Sequence, residues 1–263
     1  MREQVEVITS KDNSKVKYLA SLHDSKASRR EGVVLVEGVR SCEDALATGI
    51  TPVKVVSDEA HSDWADKVSS QTSCECIVLN TACFKKISGT MNPQGVALVV
   101  RRSDSSQELK LRGDNKDIFM CLEDIQDPGN LGTMIRIADA FDFGAVLVTK
   151  NTVDAYNDKV IRSSMGSIWR VPVIEFADAK QMIQALHSSK IKVMAAELHG
   201  EDLRRVKPGL PVAYFIGNEG AGLKPETIEL CDIKVKIDMQ GRAESLNAAS
   251  AASIIGYILQ ELR

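Results

Sequence analysis

The sequence predicts an α/β fold in which a mostly parallel sheet is covered by helices. From Val33 onward, short apolar runs typical of buried strands alternate with segments of helical periodicity. This alternation resumes after a polar stretch at residues 103–117 and continues towards the C-terminus. Alternating strands and helices form parallel sheets with helices on their faces. Because 263 residues suffice for two compact domains, we predict a first domain at residues 1–102, a linker at 103–116 and a second domain at 117–263.

The first domain is predicted to begin with a basic arm and to continue as a small α/β unit. Residues 1–30 contain seven basic and four acidic side chains. This modest excess of positive charge is compatible with nucleic-acid binding and equally with a solvated helix face. Strands are expected at residues 33–38, 52–58, 74–80 and 95–102, and helices at residues 39–49, 61–70 and 81–88.

The second domain carries the longer alternation. Strands are expected at residues 118–123, 145–149, 171–174, 191–196, 211–216 and 233–237. Helices are expected at residues 131–141, 155–163, 178–188, 225–230 and 245–262.

Composition narrows the class of protein. A net charge of −3 argues against indiscriminate nucleic-acid binding, which depends on a strong positive field. The six cysteines form no Cys-x-x-Cys pair, so neither disulfides nor a metal site is expected. Cys74 and Cys76 are interpreted as two small residues on one strand face. No window approaches the roughly 18 apolar residues of a membrane span, and the first residues lack the apolar core of a signal peptide, so we expect a cytoplasmic protein.

Three glycine-bearing stretches follow predicted strands of the second domain. In DPGNLGTMIRIADAF, residues 127–141, Arg136 lies one turn beyond Gly132, and we expect open space for a ligand beside it. An ordinary surface arginine is the alternative. The stretch is neither a G-x-G-x-x-G fingerprint nor a P-loop, which disfavours a nucleotide-dependent enzyme.

The second and third stretches point to a close approach of backbone to a ligand. FIGNEGAGL, residues 215–223, places Glu219 inside a glycine turn, which suits a neutral or cationic ligand more than a phosphate. A solvated glutamate in a plain loop is the alternative. In IDMQGRAESLNAASAASI, residues 237–254, Ser245 is a candidate helix N-cap. The alanines that follow predict tight packing against another backbone.

Together, these three stretches resemble the motifs of the SpoU/TrmH-type RNA ribose 2′-O-methyltransferases of the SPOUT superfamily. NSKVKYLASLHDSKASRREGVVLVEGVRSCEDAL and MNPQGVALVV, in the first domain, resemble the ribosomal-protein-like RNA substrate-binding domain that precedes the catalytic domain in many members. The resemblance implies a deep trefoil knot in the second domain, S-adenosylmethionine as cofactor and a homodimer through the catalytic domain.

The resemblance also implies roles for individual residues. Catalytic or substrate positions fall on Asn130, Arg136, Glu219, Ser245 and Asn247. The cofactor-binding backbone falls near Gly217, Ile237, Met239 and Leu246. The sequence departs from the family at Asp238, where many members have proline, and at residues 248–250, where AAS replaces a VSV-like run. No metal is implied.

The function that the resemblance implies is methyl transfer to a ribose 2′-hydroxyl, with ribosomal RNA as the expected substrate. Arg136 can hold the adjacent phosphate through its fork of donors. Because a guanidinium is a poor proton acceptor, a phosphate or a water molecule is an alternative proton acceptor. A catalytically inactive RNA-binding or ribosome-assembly protein on the same fold is the competing hypothesis, and retention of the polar motif residues argues against it.

Overall fold

The computed structural model describes residues 6–103 and 117–263. Arg2 of the basic arm and almost all of the predicted linker lie outside this range. The described chain forms two compact units, the first from residues 6–103 and 156–169 and the second from residues 117–155 and 170–263. Residues 156–169, assigned to the second domain from sequence, thus pack with the first unit, and the domain boundaries themselves stay a prediction.

The first unit is a mixed five-stranded sheet with helices. Its strands lie in the order β1-β4-β3-β5-β2, and β5 runs antiparallel to both of its neighbours. The strands are β1 (Val7–Ile8), β2 (Val33–Glu37), β3 (Lys54–Asp58), β4 (Glu75–Leu79) and β5 (Val96–Arg101). The helices are α1 (Ser14–Ser21), α2 (Ser25–Glu31), α3 (Val39–Ala47), α4 (Ser62–Thr72) and α5 (Thr81–Ile87).

Local sequence fixes the ends of these helices. Asn13, Asp24 and Asn80 each accept a hydrogen bond from a backbone amide in the first turn, which satisfies donors that a helix leaves open. Gly32 ends α2 in the left-handed conformation. Cys74 and Cys76 both pack against an apolar cluster of the first unit, but only Cys76 lies in a strand, because β4 begins at Glu75.

A short helix from the second half of the chain completes the first unit. This helix, α7 (Asp158–Ser164), buries Val160 and Ile161. Tyr156 lies against Trp169, and the guanidinium of Arg102 stands 4.5 Å from the centre of the Tyr156 ring. Apolar burial and this cation–π contact attach residues 156–169 to the first unit.

The second unit contains a six-stranded, fully parallel sheet in the order β11-β9-β10-β6-β7-β8. The strands are β6 (Ile118–Leu122), β7 (Ala145–Thr149), β8 (Val173–Phe176), β9 (Lys192–Asp202), β10 (Val212–Ile216) and β11 (Ile233–Lys236). The chain leaves β6 towards β7 and β8 and later returns on the other side of β6 through β9 and β10. The crevice between β6 and β10 is therefore a topological switch point, where open α/β sheets bind ligands.

Four helices complete the second unit. They are α6 (Pro128–Ala140), α8 (Ala179–Ser188), α9 (Pro225–Leu230) and α10 (Ala248–Gln260). Helix α10 packs on α6, β6 and β10. The buried Tyr214 hydroxyl donates to the carbonyl of Ala252 at 3.0 Å, and a Cβ at Gly256 would press on the Phe143 ring. The predicted tight packing is found at Ala248, Ala249 and Ala252.

Two expectations from sequence need correction. Helix α10 begins at Ala248, because the capping side chain is that of Asn247 and not that of Ser245. Gly132 is buried on the inner face of α6, so it provides no open space beside Arg136. Within the described residues, no helix is long and apolar enough to cross a membrane.

Candidate active site

Two glycine-bearing turns meet at the carboxyl ends of β6 and β10. The first opens α6, where Asp127 caps the helix by accepting from the Asn130 amide and Pro128 occupies the first turn. The second follows β10, and a Cβ at Gly217 would collide with the backbone of Gly222. Glycine is therefore required where the second turn folds back on itself.

Asn130 and Glu219 join the two turns. The Glu219 carboxylate accepts from Asn130 Nδ2 at 3.0 Å, and from the backbone amides of Asp127 at 3.0 Å and Gln126 at 3.2 Å. Partial desolvation would raise the pKa of Glu219, but the hydrogen bonds from Asn130 and from these amides outweigh it and lower the pKa. Glu219 is thus ionised at neutral pH and is poorly suited to act as a general base.

Asn247 connects the third motif to the same network. Its Oδ1 accepts from the amides of Ala249 at 2.9 Å and Ser250 at 3.2 Å, which makes it the N-cap of α10. Its Nδ2 donates to Asn130 Oδ1 at 3.0 Å. One side chain therefore sets both the start of α10 and the orientation of Asn130.

A second layer of polar contacts supports these turns, and the sequence analysis did not identify it. The buried Glu123 carboxylate accepts from Thr227 Oγ1 at 2.7 Å and from the Lys224 amide at 3.0 Å. Lys224 Nζ lies 2.7 Å from Asp124, and hydrogen bonding to that carboxylate raises the pKa of Lys224. These contacts could have been anticipated from the sequence, because two acidic residues, Glu123 and Asp124, directly follow the buried strand β6.

A cavity of about 470 Å³ opens beside the carboxyl ends of β10 and β11 and the middle of β9. Its wall contains the four predicted cofactor residues, Gly217, Ile237, Met239 and Leu246, together with two of the predicted catalytic residues, Glu219 and Ser245. Asn130 reaches this wall through its hydrogen bond to Glu219. The three motifs are thus assembled at one site.

Arg136 lies apart from the cavity wall. It is exposed on α6, and across residues 6–103 and 117–263 it has no hydrogen-bond or ion-pair partner. The alternative interpretation, a surface arginine paired with a local carboxylate, therefore has no support among these residues. Its guanidinium is free to bind an anion.

Asp238, the departure from the family pattern, is held by its neighbours. Its carboxylate accepts from Gln240 Nε2 at 2.8 Å and from Arg204 Nη2 at 3.2 Å. Arg204 also binds Asp202 at the end of β9. These contacts fasten the loop between β11 and α10, which forms part of the cavity wall, to the neighbouring strand.

Family models match both parts of the chain. The model of the SpoU rRNA Methylase family matches residues 117–257, and the model of an MRM3-like substrate binding domain matches residues 13–98. The first match alone covers more than half of the sequence. The chain belongs to the SpoU rRNA methylase family.

Individual family members resemble the chain over nearly its whole length. The 23S rRNA (guanosine(2553)-2′-O)-methyltransferase RlmP of Bacillus subtilis strain 168 is 34% identical over 257 residues, covering 96% of this chain and 98% of the relative. The 23S rRNA (uridine(2479)-2′-O)-methyltransferase of Streptomyces viridochromogenes is 30% identical, covering 95% and 90%.

Solved structures of SpoU methylases share the fold. The methyltransferase AviRb from Streptomyces viridochromogenes, in complex with AdoMet, superposes with a TM-score of 0.86 at 27% identity, covering 95% of this chain and 97% of that one. The AdoMet-bound rRNA methyltransferase from Sinorhizobium meliloti gives a TM-score of 0.86 at 27% identity, with 98% of each chain covered.

The cavity of this SpoU methylase fits S-adenosylmethionine. Its volume lies within the usual range of about 300–1,000 Å³ for small-ligand pockets, and Ile216, Leu223 and Val235 offer apolar surface for an adenine ring. The lining contains three carboxylates, of Glu197, Glu219 and Glu244, and one ammonium group, that of Lys236, and this excess of negative charge favours a sulfonium cation over a phosphate. In the described part of the chain, no cluster of three or more acidic, histidine or cysteine side chains could hold a metal ion.

Proposed function

We propose that the protein transfers the methyl group of S-adenosylmethionine to a ribose 2′-hydroxyl of ribosomal RNA. The observation that carries this proposal is the joining of the two glycine turns by Asn130 and Glu219 beside the cavity that contains Gly217, Ile237, Met239 and Leu246. The 2′-O-methylation named for the relatives from Bacillus subtilis and Streptomyces viridochromogenes supports the same reaction here. The cytoplasm, where ribosomal RNA is assembled into ribosomes, is the location that we propose.

We assign the residues roles that follow from their contacts. When bound, S-adenosylmethionine supplies the activated methyl group. The backbone near Gly217, Ile237, Met239 and Leu246 binds the cofactor. Glu219 orients Asn130 and the turn at residues 126–130, and its fixed negative charge favours a cationic ligand.

Arg136 and Ser245 face the RNA in this proposal. The unpaired Arg136 guanidinium binds the phosphate beside the target ribose. This contact holds the 2′-hydroxyl in line for attack on the methyl group. Ser245, on the cavity wall, is placed to contact the substrate. Since a guanidinium keeps its proton at neutral pH, a phosphate oxygen or a water molecule accepts the hydroxyl proton.

We propose that the C-terminal segment forms the trefoil knot of the SPOUT superfamily. Strand β11 lies at one edge of the sheet, yet α10 packs on α6, β6 and β10 near its middle. The chain must therefore cross back over the sheet after β11. This path supports threading of residues 237–263 through an earlier loop.

We also propose a homodimer built through the second unit. Helix α10 exposes Ile254 by 37% and Tyr257 by 54%, although its opposite face is buried. Exposed apolar side chains on this helix, whose Ala248 and Ala251 line the cavity, suit a partner surface of the same kind.

The test of the proposed reaction is chemical. The purified protein is incubated with methyl-labelled S-adenosylmethionine and deproteinised ribosomal RNA from a strain lacking its gene, and the RNA is then digested to nucleosides. We expect label in one 2′-O-methylated nucleoside. Label on a base, or no transfer despite cofactor binding, would contradict the proposal and favour the inactive RNA-binding alternative.

A further inference from the structure

A cavity of about 350 Å³ lies within the first unit, and its lining contains none of the predicted cofactor residues. It is bounded by the turn between β2 and α3, by the loop that precedes β5, and by α7. Arg40, Asp44, Thr90, Asn92, Arg162 and Met165 are among its lining residues.

The walls of this cavity are held in place by hydrogen bonds. Gln94 Oε1 accepts from the Val39 amide at 3.0 Å, which ties the loop before β5 to the start of α3. The Glu37 carboxylate accepts from the Gly89 amide and from the Thr90 hydroxyl, each at 2.9 Å. The cavity is thus pre-formed, and the acceptor capacity of Glu37 is largely used by the protein.

Arg40 and Arg162 bring two positive charges to a cavity whose lining also contains the carboxylates of Glu37 and Asp44. Neither has a hydrogen-bond or ion-pair partner among the residues that the structure describes. Basic residues of the N-terminal arm differ, since Lys15, Lys17 and Arg30 pair with carboxylates. Two guanidinium groups without a partner in the described part of the protein are therefore available to an anion at this cavity.

The remaining polar groups favour a nucleotide over a bare phosphate ion. Asp44 is half-buried, and in the described chain nothing donates to its carboxylate. A phosphate alone would be repelled by Asp44, whereas the amino group of a nucleobase can donate to it. Thr90 and Asn92 offer further hydrogen-bonding groups for a base or a ribose.

We propose that this cavity binds one nucleotide of the RNA substrate, with Arg40 and Arg162 on its phosphate and Asp44 on its base. The inference rests on the proposed function, because it assigns to the RNA of that reaction a contact within the first unit. The match of residues 13–98 to a substrate binding domain model supports it. Arg162 comes instead from the part of the chain that matches the methylase model.

The test uses the full-length protein and transcribed large-subunit ribosomal RNA. Affinity is measured for the wild type, Arg40→Gln, Arg162→Gln and Arg101→Gln, with S-adenosylmethionine affinity and thermal unfolding as checks. Arg101 is the matched control, since it is exposed at the opposite end of β5 from Gln94. Loss of a charged hydrogen bond to phosphate should weaken RNA binding about tenfold for each cavity variant. The slope of log affinity against log salt should fall by about 0.7 for each lost contact to single-stranded RNA.

A crosslinking arm locates the nucleotide. RNA containing 6-thioguanosine, a photoactivatable nucleoside that keeps an amino group for Asp44, should give on irradiation with the wild type a crosslink to the loop at residues 89–95 or to Met165, and both arginine variants should weaken it. Equal weakening by Arg101→Gln, no weakening by the cavity variants, or crosslinks only elsewhere would overturn the inference. Arginine-dependent binding of free nucleoside monophosphate without an effect on RNA would also overturn it. Failure of the proposed function has a different sign, because the wild-type protein itself would then not methylate this RNA. The binding measurements on the cavity variants do not depend on that result.

Discussion

Among single residues, Glu219 organises the site through three hydrogen bonds from the opposite turn. Its lowered pKa keeps it ionised, so its contribution is a fixed charge and a fixed geometry and not proton transfer. Replacement by glutamine tests this directly, because the side chain keeps its shape but turns an NH₂ group towards donors.

Glu219→Gln is expected to lower the rate of methyl transfer about tenfold or more, since its NH₂ group must oppose at least one backbone amide and the hydrogen bonds that remain are no longer charged. Single-turnover kinetics and calorimetric titration with S-adenosylmethionine measure the effect. Glu229→Gln, which removes an exposed charge from α9 of the same unit, should change neither quantity. A wild-type rate in Glu219→Gln would argue against the role assigned to this carboxylate.

His23 provides a titrating contact in the first unit. Its Nδ1 donates to Asp158 at 2.7 Å and its Nε2 donates to the Ile87 carbonyl at 2.6 Å, so both ring nitrogens carry protons. The hydrogen bond to Asp158 raises the pKa of His23 to about 8, against the opposing effect of burial. His23, in the loop between α1 and α2, thus connects α7 to the end of α5.

The stability of the protein should therefore depend on pH through His23. The stabilisation is fully present below the unfolded value of 6.5 and is lost as the pH rises through about 8. This hydrogen bond stabilises the folded state by about 2 kcal/mol, because each unit by which folding raises a pKa corresponds to about 1.4 kcal/mol. Denaturant unfolding between pH 6 and 9 measures this slope, and His23→Gln should flatten it. An equal slope in the variant would assign the pH dependence to other groups.

At the scale of elements, the start of α10 couples helix capping to the site. Asn247 caps the helix with its oxygen and orients Asn130 with its nitrogen. The two functions reside on different atoms, so different substitutions can separate them.

Asn247→Ala should lower the free energy of unfolding by about 1 kcal/mol through loss of the cap, and should also slow methyl transfer. Asn247→Asp keeps an acceptor for the helix amides but loses the donor to Asn130. It should retain most of the stability and still show the slower transfer. Chemical denaturation combined with single-turnover assays distinguishes these cases. Full activity of Asn247→Asp would show that the bond to Asn130 is dispensable.

Most strands and helices could be predicted because the strands are buried on both faces and appear in the sequence as unbroken apolar runs. The end of β9 was missed, since residues 197–202 are polar and partly exposed there. Gly200 allows the backbone of β11 to approach at a bulge, a contact that a single sequence does not encode locally.

The motif residues of the site could be predicted from the family resemblance, but their connections could not. Bonds such as that between Asn247 and Asn130 join residues more than a hundred positions apart. The packing of residues 156–169 with the first unit is likewise a tertiary effect. It depends on Ile161 and Tyr156 finding apolar partners in another part of the chain.

At the scale of the whole molecule, the homodimer that we propose can be tested through its surface residues. The exposed apolar residues Ile254 and Tyr257 of α10 carry the proposed dimer. Ile254→Glu should produce a monomer, because burying an unpaired charge in an apolar interface is costly. Analytical ultracentrifugation measures the association. Leu230→Glu, at a residue exposed by 42% on α9, should leave the dimer intact. A wild-type monomer at micromolar concentration would contradict the proposal.

The proposed reaction depends most directly on Arg136, the exposed and unpaired cation of the first motif. The decisive measurement is the single-turnover rate of methyl transfer at saturating RNA and S-adenosylmethionine for the wild type, Arg136→Ala, Arg136→Lys and the control Arg205→Ala. Arg136→Ala should abolish transfer while cofactor affinity and fold stay close to wild type. Arg136→Lys should recover little, because it loses the bidentate fork, and Arg205→Ala should behave as wild type. Near-normal turnover of Arg136→Ala under these conditions would contradict the assignment, since saturation removes any effect of weaker RNA binding.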